Sequence, residues 1–196
     1  MRIVRLLKRI WAQLHRFVFW TLILSLLWCW IYTFLGDAPR EKKVLFYLET
    51  PGLERRALSL RLEDACLPME GIEMIQARSF SYELFGSELS GDFYVMREST
   101  LRATLEQTPE KLAAIALPEG MRGYEWENRV YGLLVFDPET QRGAAMEQVR
   151  YAPPDQPEPE AFWLCFDAKS PHLASQPGAL DDAAWDAALA FLAMKP

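Results

Sequence analysis

Residues 17–35 run for nineteen positions without a charged side chain. No other feature constrains the chain so tightly. At about 1.5 Å of rise per residue such a helix is roughly 28 Å long, close to the thickness of a bilayer's hydrocarbon core. The rest of the chain, beyond this run, is polar enough to fold in water. The sequence therefore predicts one membrane anchor carrying one outer domain.

The flanking charges orient the span. Arg2, Arg5, Lys8, Arg9 and Arg16 precede it with no acidic residue among them, while Arg40, Lys42 and Lys43 beyond it are mixed with Asp37 and Glu41. Excess basic residues mark the cytoplasmic side, so the N-terminus is expected in the cytoplasm and the domain outside. Plentiful Ala, Arg and Pro with a single Asn suit a high-GC bacterial genome. The expected location is then the bacterial inner membrane, single-pass, with a periplasmic domain. A cleaved leader is not expected. The run ends in the bulky Trp28, Trp30, Tyr32 and Phe34, and Pro39 follows the one small pair, Gly36 and Ala38. Trp28 stands where a lipoprotein signal ahead of Cys29 needs a small residue.

Within residues 1–16, Ile3, Val4, Leu6, Leu7, Ile10, Trp11 and Leu14 gather on one arc of a helical projection and the five basic residues on the other. This basic amphipathic leader either lies among lipid headgroups or simply extends the span as a topology signal. In residues 17–35, Thr21, Ser25, Cys29 and Thr33 recur every fourth position. They form a candidate stripe for association with another helix. The plainer reading is chance, with the hydroxyls bonding back to their own helix.

Charge separates along the chain. Five of the 21 basic residues and none of the 27 acidic ones precede position 36, so the leader carries +5 and the rest −11 behind a net −6. An acidic domain is repelled by phosphate backbones, which argues against nucleic acid as a partner. Past a polar linker at 36–43, residues 44–196 amount to about 150, enough for one core and one domain.

Inside that domain, residues 44–49 read as a strand closed by Pro51-Gly52. Leu58, Leu60 and Leu62 alternate as in a strand, although 54–65 also suits a helix. Residues 72–85 and 93–96 read as strands around the turn Ser90-Gly91-Asp92. Thr108-Pro109-Glu110 looks like a helix start, with Leu112 to Leu117 as its body. Residues 130–136 and 144–151 flank a loop and predict a hairpin. Past the acidic, proline-rich 153–160, residues 162–166 complete an antiparallel meander. A closing helix spans 182–194, capped by Asp181 and stapled by Leu180 against Trp185. The expected class is α+β, a single mixed domain with an antiparallel β-meander and a C-terminal helix.

Chemistry is sparse. Two histidines are present, and His172 alone belongs to the domain. A His-rich zinc site is therefore excluded, and no phosphate-binding glycine loop or nucleophile motif occurs. Cys165, His172 and Asp167 can be drawn as a thiol hydrolase, but Cys165 sits in an apolar strand, where a buried thiol is the better reading. Ser90-Gly91-Asp92 is read as a plain turn rather than a phosphatase metal turn. Cys66 and Cys165 are the candidates for a disulfide in an oxidising compartment, the alternative being two separate buried thiols. The proline-rich loop is a docking segment or, more simply, a solvated loop. No catalytic, cofactor or metal residues are expected. The expected function is a membrane-anchored, non-catalytic domain that binds a protein partner at the cell envelope, as an assembly factor, regulator or inhibitor. A small periplasmic hydrolase and a structural subunit of a membrane complex are the alternatives. Membrane lipid is the expected partner of the N-terminal helix.

Overall fold

A 35-residue helix, α1 (Arg2–Gly36), carries the apolar run without a break. Its most apolar stretch is Gln13–Tyr32, 20 residues with a mean hydropathy of 1.6. Trp11, Phe17, Trp20, Leu26, Trp28, Trp30 and Tyr32 are all exposed on it. An unburied apolar helix of this length suits a membrane span. The computed structural model describes residues 2–50, 52–80, 89–151, 160–173 and 182–194, with backbone alone at 2–10, 12 and 33–36. The chain divides into two units after Pro39.

The second unit is built on a mixed sheet. Its strands are β1 (Lys43–Leu48), β3 (Met74–Ser79), β4 (Phe93–Arg97), β5 (Gly123–Trp126), β6 (Arg129–Asp137), β7 (Arg142–Gly143) and β9 (Phe162–Phe166). The order is β3-β1-β4-β9-β6-β5, with β7 pairing β6. β2 (Gly52–Leu53) and β8 (Val149–Arg150) form a separate small ribbon. β1 is parallel to both β3 and β4, whereas the pairs β4–β9, β9–β6 and β6–β5 are antiparallel. The α+β class therefore stands with its C-terminal helix, but the sheet is not a purely antiparallel meander. Its first half contains a β-α-β crossover, because parallel neighbours need a long connection.

That crossover is α2 (Arg55–Cys66), where the leucine alternation favoured a strand. Leu58 and Leu62 are buried, and Leu60 is 50% exposed. Buried residues four apart and an exposed one between them are helical periodicity, which a period of two also fits until Leu60 is placed. The helix expected at residues 112–117 is absent. A single 3-10 turn, Pro109–Lys111, leads into extended backbone. There the Ala113 N–H donates to Phe166 O and the Ile115 N–H to Val130 O, both within 2.9 Å. Strand ends claimed these donors, overriding local propensity. An unanticipated helix, α3 (Glu98–Gln107), follows β4 directly, with Leu101 and Leu105 buried.

The expected 130–136/144–151 hairpin is only a stub. β6 pairs just Arg142–Gly143 on that side, after which Ala145, at φ 52°, turns the chain away. The full hairpin partner of β6 is β5, joined through Glu127 and Asn128, both at positive φ. That is the two-residue geometry matched to strand twist. The last helix, α4 (Ala183–Ala193), is capped by Asp182, whose Oδ1 accepts from the Trp185 N–H at 3.0 Å. The cap and staple expected at Asp181 and Leu180 lie outside the described residues.

Alternate residues of the central strands feed two cores. Val44, Phe46, Leu48, Phe93, Val95, Leu164 and Phe166 point to one face, covered by Leu58 and Leu62 of α2 and Ala184, Trp185, Ala188 and Phe191 of α4. Leu45, Tyr47, Tyr94, Met96, Trp163 and Cys165 point to the other, covered by Leu101 and Leu105 of α3. Burial on both faces explains why β1, β4 and β9 read as unbroken apolar runs.

Candidate functional site

Among the described residues, two buried carboxylates, Asp92 and Glu49, lie at the two ends of β1 and β4. At the amino end of β4, the Asp92 carboxylate is fully buried. Arg40 donates to it twice, Nη1 to Oδ2 at 2.7 Å and Nη2 to Oδ1 at 3.0 Å. The Leu45 N–H reaches Oδ2 at 2.6 Å and the Ser170 hydroxyl Oδ1 at 2.5 Å. His172 Nδ1 lies 3.0 Å from Oδ1, and its Nε2 lies 3.0 Å from the Glu41 carbonyl oxygen. Burial pushes the Asp92 pKa up, but the bonds from His172, Arg40, Ser170 and Leu45 together outweigh it and hold the carboxyl below the usual range. The Asp92 bond raises the His172 pKa against the opposing effect of burial.

Ser, His and Asp thus meet, but not as a catalytic triad. In a triad the serine hydroxyl bonds the imidazole nitrogen remote from the carboxylate. Here Ser170 bonds the carboxylate itself, and the remote nitrogen is spent on a backbone carbonyl. The bonds set Ser170 and His172 side by side on Asp92 and not in the serine–imidazole–carboxylate order of a triad.

A second buried carboxylate adjoins it. Asp167 Oδ2 is bonded to the Tyr94 hydroxyl, its Oδ1 accepts the Lys169 N–H at 2.8 Å, and its own N–H donates to Asp92 O at 3.1 Å. Burial, then Asp167, pushes the Tyr94 pKa up. The Lys111 ammonium lies 6.0 Å from the Tyr94 ring centroid, and burial lowers its pKa.

The carboxyl end holds Glu49. It accepts from the Arg97 N–H at 3.1 Å, from Arg97 Nε at 2.8 Å and from Arg97 Nη2, and from the Thr100 hydroxyl at 3.0 Å. Open sheets with parallel strands place ligands beyond these strand ends. Here the first turn of α3 gives its N–H groups to the Ala161 carbonyl and, from Ser99, to the Glu160 carboxylate at 3.1 Å.

The structure does not assemble the hydrolase constellation. Cys165 is buried in the second core, its thiol pKa pushed up by burial, while His172 and Asp167 are bound as described. Cys66 ends α2 and packs against the opposite core. Its pKa is pushed up to about 11 by burial and the nearby Asp186 charge. Both thiols are free and lie on different faces of the sheet. Cys66 opens on a groove of about 590 Å³ lined also by Pro68, Met69, Asp186 and Ala190. On α1, Thr21, Ser25 and Cys29 share one face with Leu24, Trp28 and Tyr32, and the Thr21 hydroxyl bonds back to Phe17 O at 2.8 Å. The side chain of Thr33 lies outside those described. Among the described residues, no three His, Cys, Asp or Glu side chains are grouped to hold a metal ion.

Sequence reasoning singled out Asp92 and His172 separately but missed their bond, along with Arg40 and Ser170. The usable signal was a lone Asp directly before the apolar run Phe93 to Met96, where an unpaired carboxylate is costly. Comparison with family models, curated proteins and solved structures found no match.

Proposed function

We propose that this is a single-pass membrane protein whose outer domain is a non-catalytic module that binds a protein partner at the cell envelope. The carrying observation is the presence, in one chain, of an exposed apolar helix and a domain in which Asp92 and Glu49 are buried against Arg40, His172 and Arg97. A group that must act on a substrate needs an open bonding position in a cleft. Asp92, His172 and Glu49 have theirs filled from within the chain. The change from a +5 leader to a −11 remainder supports a cytoplasmic N-terminus and a periplasmic domain in a bacterial inner membrane. A second reading, as a structural subunit of a membrane complex, draws on the shared face of Thr21, Ser25 and Cys29.

The test is photo-crosslinking in cells from positions spread over the domain surface, followed by isolation in mild detergent. One envelope protein recovered in fixed ratio from a contiguous set of positions is expected. Recovery of the chain alone from every position, or an activity that His172→Ala abolishes in a folded protein, overturns the binding reading. An alkaline phosphatase fused after Pro196 should be active, and silence there reverses the orientation.

A further inference from the structure

His172 ties three distant parts of the chain to one point, two through its ring and one through its backbone carbonyl. Its Nδ1 faces the Asp92 carboxylate at the start of β4, and its Nε2 faces the carbonyl of Glu41, each at 3.0 Å. Its own carbonyl accepts the Ala184 N–H in the first turn of α4 at 3.1 Å. Glu41 belongs to the 3-10 turn Arg40–Lys42, the strap that leads into β1.

Both ring partners only accept hydrogen bonds. An ionised carboxylate has no proton to give, and a carbonyl never has one. A neutral imidazole carries a single N–H, so it serves one partner and turns a lone pair toward the other. The imidazolium alone makes both bonds. The ring's side chain is 8% exposed while Glu41 is exposed, so water takes over the Glu41 carbonyl once the ring turns a lone pair toward it.

We propose that His172 is a protonation-operated latch: as a cation it clamps the strap Arg40–Lys42 to the β4 end of the sheet, and as a neutral ring it releases the Glu41 carbonyl. Release falls on that side because the bond to the carboxylate is the stronger of the two. The charged groups facing the ring are Asp92, from β4, which attracts it, and Arg40, from the strap, which repels it. The Ser170 hydroxyl accepts the His172 backbone N–H, and Glu41 presents its backbone carbonyl to the ring. Arg40 stays paired with Asp92 in either state, so opening is local and the domain stays folded.

The direction of the shift sets the sign. The ring's pKa in the closed state lies above the ordinary histidine value, so protons favour closure. The latch is fully shut below about pH 6.5 and opens as the pH rises through the raised value. Each unit of separation between closed and open pKa changes the closing equilibrium about tenfold.

Ring ¹⁵N spectra of the full chain in detergent micelles report the proton on each nitrogen, and His172→Gln separates the signal from that of His15. At about pH 6 both ring nitrogens of His172 should carry protons. The midpoint should lie above the ordinary value, and the amides of Glu41 to Lys43 should shift with it. The Glu73 N–H, which donates to the Lys42 carbonyl at 2.8 Å, should lose protection against hydrogen exchange over the same range. Arg40→Gln removes the repelling cation and should move the midpoint further up. A singly protonated ring at about pH 6, a midpoint at or below the ordinary value, or a titration that leaves residues 41–43 unmoved overturns the latch. If His172→Gln or Arg40→Gln fails to fold, the titration of the unaltered chain decides alone.

Discussion

The two ends of β1 and β4 each bury a carboxylate against an arginine, yet they hold different things together. Glu49 takes its donors from Arg97 and Thr100, one short stretch at the start of α3. Asp92 takes its donors from Arg40, Leu45, Ser170 and His172, spread over most of the domain's length. The first network ties the end of β1 to one place, the junction of β4 and α3. The second ties the strap ahead of β1 to the loop after β9, and of the two it alone contains a histidine. Two carboxylates buried alike thus differ in reach: Glu49 has its donors at a single junction, whereas Asp92 has them on several separated segments.

The largest difference should appear on neutralising each carboxylate in place. Asp92→Asn leaves two cations, Arg40 and His172, facing an amide, with a cost of about 3–5 kcal/mol. Glu49→Gln strands only Arg97, whose side chain is partly exposed, with a cost of about 1–3 kcal/mol. Chemical denaturation of the two variants in the same detergent checks this, and equal losses break the comparison.

Crowding sharpens it next. A Cβ on Gly91 would sit 2.9 Å from the Tyr47 ring and 3.2 Å from Leu45 O. Gly91→Ala should therefore cost about 1–3 kcal/mol by the same measurement, and a neutral result would mean the amino end is looser than these distances imply.

Acid should also tell the ends apart. The Asp92 carboxyl titrates below its unfolded value, so its contribution is complete above about pH 4 and is lost as the pH falls through the depressed value. Below about pH 4 the hydrogen-exchange protection of Leu45 should fall, because its N–H donates to Asp92 Oδ2. Unchanged protection at Leu45 throughout would place the carboxyl outside the network. The smallest effect belongs to neither end. Arg61→Ala removes an exposed pair with Glu147 and should change stability by no more than about 0.5 kcal/mol.

Much of this architecture was legible because double-sided burial writes itself as apolar runs. β1, β4, β9, the span and the last helix are all such runs or carry their own periodicity. α2 was ambiguous because Leu58 and Leu62 satisfy periods of two and four alike. Residues 112–115 were misread because strand ends elsewhere in the chain supply their bonding partners. The site was the least legible part. Asp92 and His172 are 80 residues apart, and Arg40 reads as one of several basic residues flanking the span. Nothing local marks a bond whose partners meet only after the sheet has formed.

If His172 and Asp92 form a charged clamp and not a catalytic pair, the clamp must show in the pH dependence of folding. The quantity to measure is the difference in unfolding free energy between the unaltered chain and His172→Gln, followed from about pH 5 to about pH 9. The unaltered chain should be the more stable at the acid end, and its advantage should shrink as the pH rises through the raised His172 value. A difference that stays level across that range, or grows toward alkaline pH, would refute the clamp.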